Sequence, residues 1–161
     1  MTQLKARIET FRSADGDSVF AQCCFTFETL TVGDFDQLMV AGSLNVAFLD
    51  LFNRIKAKEP IHLTTKQLED ELKALEEDLQ NYDLPTGVES FDGEFVSLVI
   101  VDGNERLAVR PWGEKKAMLM DISQDNYMAF MYETRETLVE QCKKLGLALD
   151  NQINHHNKKP L

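Results

Sequence analysis

The sequence predicts an α+β fold: a five-stranded, mostly antiparallel sheet in the order ββ-αα-βββ-α, with the helices packed on one face. Three observations lead there. Residues near both ends of the chain alternate between apolar and polar, the period of a half-buried strand. Two Asp-Gly turns sit between such runs, as tight hairpins require. Between them lie two long segments whose apolar residues recur at helical spacing.

Leu4, Ala6 and Ile8 alternate with charge, and the Ser13-Ala-Asp-Gly-Asp17 segment carries turn chemistry. Val19, Ala21, Cys23, Phe25 and Phe27 then alternate with Gln22, Thr26 and Glu28. Together they read as a hairpin. A helix is expected from Thr31 or Asp34 as cap to about Lys58, where Pro60 stops it. Its apolar residues cover nearly every face, so it is expected to be central and buried, with Gly42 repaid by close packing.

Thr64 and Gln67 have the spacing of a capping box for a second helix, which Pro85 and Gly87 end. Leu68, Leu72, Leu75, Leu79 and Tyr82 form one narrow apolar seam, expected to pack on the central helix. The run Phe95-Val-Ser-Leu-Val-Ile-Val101 is apolar on both faces and reads as a central strand. The Asp102-Gly103-Asn104 turn joins it to a partner holding Leu107 and Val109, and residues 117–122 give a third strand. Ser123 or Asp125 caps a last amphipathic helix, closed by Gly146-Leu147 as a Schellman stop. The domain is expected to span residues 1–150, with a polar tail over 151–161.

The charge is local. Of the 27 acidic residues, 12 fall between Glu69 and Glu105 with a single base, Lys73, so the segment nets −11 while the rest nets +1. A one-signed surface favours partners of opposite sign. It argues against direct binding to nucleic acid or to anionic membranes, both of which call for Lys and Arg. There is no leader-like basic and apolar start, and no 18-residue uncharged run. The three cysteines have no pairing pattern, so a reducing, cytoplasmic setting is expected.

No motif fixes a reaction. His62-Leu-Thr64 matches one half of a two-histidine phosphoesterase pair, and no second copy exists. The Asp15, Asp92 and Asp102 turns lack the ligand positions of a calcium loop. The cysteines lack metal-ligand spacing. His155 and His156 sit in the tail. No cofactor or metal is expected.

The expected function is therefore a non-enzymatic protein-binding module, an inhibitor or adaptor docking a basic partner through the acidic helix. Glu69, Asp70, Glu76, Glu77, Asp78 and Asp83 supply the charge, and Trp112 the anchor. Acids in a first helical turn suit the dipole, whereas Glu76, Glu77 and Asp78 in a second half oppose it. Seven acids between Glu69 and Asp83 place one charge per about 3 Å of helix, in the range of a nucleic-acid strand. In charge and size alone the chain resembles small acidic proteins that block DNA- or RNA-binding enzymes, many from phages and mobile elements. One alternative is a small acidic chaperone for an exported or assembling protein. Another is an enzyme or ligand binder with a site assembled from scattered residues. The basic strip of Arg106, Arg110, Lys115 and Lys116 also suggests a head-to-tail homodimer against the acidic helix of a second copy.

Overall fold

The computed structural model describes residues 2–151. The tail beyond them, with His155 and His156, lies outside the described residues. The chain is α+β, but its strands form two four-stranded sheets, not one of five.

The first sheet is built on β2 (Val19–Phe27), which pairs antiparallel with β1 (Leu4–Arg12) in unbroken register from Leu4↔Phe27 to Arg12↔Val19. The turn is closed by Ser13 N–H donating to the Ser18 carbonyl at 2.8 Å, and by Asp17 N–H donating to the Asp15 carboxylate at 3.0 Å. On its other edge β2 pairs with β3 (Leu30–Val32) and with the two-residue β4 (Met39–Val40).

That short β4 explains why α1 (Ala41–Ala57) starts later than expected. Asp34 accepts from Asp36 N–H at 3.0 Å and makes a turn, and Met39 and Val40 are drawn into the sheet against Ala21 and Phe20. Pairing with β2 outweighs the helical spacing of residues 35–40. From Ala41 on, α1 buries Leu44, Phe48, Leu51, Phe52 and Ile55. A Cβ at Gly42 would meet open space, so close packing does not account for that glycine.

The second sheet runs β5 (His62–Leu63), β6 (Phe95–Val101), β7 (Asn104–Arg110), β8 (Met118–Asp121). β5 is parallel to β6 and the other pairings are antiparallel. The two faces of β6 serve two cores, as its apolar run implies. Val96 and Leu98 join Leu107, Val109 and Met120 in the main core, shared with α1, the first sheet and α3 (Gln124–Lys144). Phe95, Val99 and Val101 face the other way, where Leu68, Leu72 and Leu75 cover them.

The helices therefore do not share one face. The leucine seam packs on the far side of the second sheet, not on α1. Its helix, α2, is also short, Leu68–Leu75. A 3-10 turn at Thr65–Gln67 precedes it, and Glu71 rather than Gln67 reaches back to Thr64 N–H, at 2.9 Å. A second such turn, Leu79–Asn81, follows and leaves Leu79 68% exposed.

α3 matches its sequence signals closely. Ser123 accepts from Asn126 N–H at 3.1 Å. At the other end Gly146 N–H donates to the Lys143 carbonyl and Leu147 N–H to the Cys142 carbonyl, each at 2.9 Å, the Schellman pair. No helix among the described residues is long and apolar enough to cross a membrane.

Candidate functional site

The expected acidic row does not stand as one free face. α2 ends at Leu75, so Glu76, Glu77 and Asp78 lie at and beyond its end. Glu76 is half-buried and accepts from Arg110 Nε at 2.7 Å, which answers its charge at the negative end of the helix. Glu69 pairs with Lys116 at 2.8 Å, and the Lys116 hydrogen bond and charge pull its carboxyl below the usual range. Asp78 accepts from Gln80 N–H at 2.9 Å and caps the turn after α2. Arg106 pairs with Asp121. Arg106, Arg110 and Lys116 of the basic strip are thus paired with acids of their own chain. Among the described residues only the side chains of Asp70 and Glu77 remain unpaired in that row.

Asp83 is not on the surface at all. Its side chain is fully buried and receives Lys58 Nζ at 2.6 Å and Leu98 N–H at 2.7 Å. Its N–H donates to the Val96 carbonyl at 2.6 Å, and its carbonyl accepts from the Tyr127 hydroxyl at 2.5 Å. Arg54 donates to the neighbouring Tyr82 and Leu84 carbonyls at 2.7 and 3.0 Å. One residue therefore fastens α1, β6 and α3 together. Burial pushes its carboxyl upward, against the lowering pull of Lys58, the Leu98 amide and Arg54. Asp83 cannot meet a partner from this position.

Trp112, the expected anchor, is exposed. It lies just beyond β7 in a turn closed by Glu114 N–H on the Pro111 carbonyl at 3.1 Å, and it is 75% exposed. The acids beside it are not those of α2. Trp112 and Pro111 form one wall of a cleft of about 490 Å³, and Asp34, Glu89, Asp92 and Glu94 contribute carboxylates to its lining. Among the described residues no base lines it.

Glu94 builds this cleft. It is 6% exposed and bridges two loops, accepting from Gly33 N–H at 3.0 Å and from Trp112 N–H at 2.8 Å. One carboxylate thereby ties the loop after β3 to the loop after β7, each from a different sheet. Burial raises its carboxyl above the usual range, and the two amide hydrogen bonds oppose that rise.

Two glycines make room. Gly93 has φ +79°, and a Cβ there would lie 2.5 Å from Trp112 Cδ1, so the indole edge rests on bare backbone. Gly33 has φ +99°, and a Cβ would lie 2.8 Å from Phe91 Cε1. Phe91 is itself held by stacking on Phe25, with ring centroids 4.9 Å apart. Asp34 N–H donates to the Ser90 carbonyl at 2.7 Å and joins the third segment. Ser90 is buried, lines the cleft, and its hydroxyl has no hydrogen-bond partner among the described residues.

Sequence reasoning picked out Trp112 but passed over Glu94, Asp34, Glu89 and Asp92. The Asp92-Gly93-Glu94 turn was legible only as a turn. The usable signal was Glu94 itself, an acid set directly before an all-apolar strand.

A larger hollow of about 760 Å³ lies between the second sheet and α3. Three of its polar side chains are engaged internally: the Thr2 hydroxyl donates to the Asp121 carbonyl at 2.6 Å, and Arg106 pairs with the Asp121 carboxylate. The Trp112 cleft keeps its charge and its aromatic ring unmatched, and it is the better candidate. Among the described residues no group of three or more His, Cys, Asp or Glu side chains is placed to hold a metal ion. No protein-family model, curated protein or solved structure matches this chain, so its function rests on the site alone.

Proposed function

We propose that this protein is a non-enzymatic, acidic protein-binding module, an inhibitor or adaptor that docks a basic surface of another protein. One observation carries the reading. The exposed Trp112 ring stands over a cleft lined by four acidic residues and, among the described residues, no base. Trp is enriched at binding hot spots, and an acid-lined cleft concentrates cationic partners. The unpaired Asp70 and Glu77 extend the negative surface along α2 and would steer approach more than they would hold the complex.

The test is capture of partners from cell lysate at low and moderate salt, with mass spectrometry naming what is bound. Wild-type protein is expected to retain a basic protein that is released as salt rises. The Asp70→Lys, Glu77→Lys, Asp92→Lys triple variant is expected to lose it. Equal capture by the wild type and the triple variant would sink the reading.

A further inference from the structure

We infer that the Trp112 cleft is a receptor for one arginine side chain of the basic partner; this deepens the proposed function and rests on it. Four features of the cleft select that group.

Its charge demands a cation, because Asp34, Glu89, Asp92 and Glu94 line it with no base among the described residues. Its aromatic wall suits an organic cation over a metal ion. Guanidinium groups are weakly hydrated and planar and stack on indole faces, where the ring attracts cations. Asp92 and Glu89 are exposed, and among the described residues their side chains have no ion pair or hydrogen bond. Carboxylates free in this way match the forked donors of arginine, which an ammonium cannot span. Finally, Ser90 lines the cleft, and its buried hydroxyl has no hydrogen-bond partner among the described residues.

Glu94 takes a different part. Both its oxygens are occupied by the amides of Gly33 and Trp112, so it is a positioning residue. It holds the indole wall against the opposite loop and adds charge to the lining.

The chain carries a single tryptophan, so its emission reads this cleft directly. The experiment is titration of the full protein with the peptide acetyl-Gly-Arg-Gly-amide, beside the same peptide carrying citrulline or lysine. Citrulline keeps the shape of arginine and removes the charge. A saturable emission change is expected with arginine, at least tenfold weaker binding with lysine, and none with citrulline. The Glu89→Gln, Asp92→Asn variant, altered only at exposed positions, is expected to weaken the arginine peptide at least tenfold with its far-UV circular dichroism unchanged. No saturable response to arginine at millimolar peptide overturns the inference, as does an equal response to lysine or citrulline. Salt-sensitive capture of a basic protein that Asp70→Lys, Glu77→Lys abolishes, beside a silent peptide titration, overturns this inference alone. Loss of both results overturns the proposed function as well.

Discussion

Removing the Asp83 carboxylate tests whether one buried polar residue locks the second sheet to α1 and α3. In Asp83→Ala the Leu98 amide loses its acceptor and the Lys58 ammonium its partner. A buried donor left unmet costs about 1–3 kcal/mol. Breaking a buried ion pair costs about 3–5 kcal/mol when the stranded charge stays buried. Lys58 is 22% exposed and can turn toward water, so the upper range does not apply. The expected loss is about 2–4 kcal/mol, which lowers the melting temperature of a domain this size by about 10 °C. Urea unfolding followed by far-UV circular dichroism measures it. Lys58→Met in the Asp83→Ala background removes the stranded charge and should recover part of the loss, leaving the Leu98 amide as the remainder. A loss below about 1 kcal/mol, or two substitutions that simply add, would refute the locking role.

Three further outcomes follow from the same geometry. Gly93→Ala puts a Cβ against the Trp112 ring at a left-handed backbone position; it should cost about 1–2 kcal/mol and shift tryptophan emission. Gly42→Ala meets no neighbour in the first turn of α1 and should stabilise by about 0.4–1 kcal/mol in the same urea assay. Glu94 has a folded-state pKa raised above its ordinary 4.5, so the folded chain holds that proton more tightly than the unfolded one. Its contribution is therefore fully present below pH 4.5 and lost as pH rises through the raised value; Glu94→Gln should flatten that part of the stability profile, and an unchanged profile would contradict the assignment.

Local signals in the sequence were read faithfully by the chain. The β1–β2 and β6–β7 hairpins and both ends of α3 follow from alternation, turn residues and caps within a few positions of one another. Long-range pairing was not legible. Nothing in His62-Leu63 says that it will lie parallel to β6, and nothing in Met39-Val40 says that β2 will claim it from the helix. Those pairings, with β3, bring each sheet to four strands, and the expected hairpin and the expected three-stranded run do not pair with each other. Leu68, Leu72 and Leu75 of the leucine seam are covered, Leu79 is not, and the spacing is silent on whether a helix or a sheet does the covering. The candidate site divides in the same way. Trp112 stood out by type, while Asp83 and Glu94 looked like the other acids, because burial is set by distant segments. Asp83 is enclosed by α1, β6 and α3, and Glu94 by loops some sixty residues back and eighteen ahead.

The Glu94 bridge makes the cleft a property of the whole fold. Its walls come from three stretches of chain, near residues 33, 92 and 112, that meet only when both sheets are in place. No excised hairpin or isolated helix would carry it. The same arrangement makes an occupant of the cleft a clasp across the molecule, recognising the folded chain and not the unfolded one. Occupancy then becomes visible as heat resistance: a ligand at a hundred times its dissociation constant adds about 2.7 kcal/mol to the unfolding free energy.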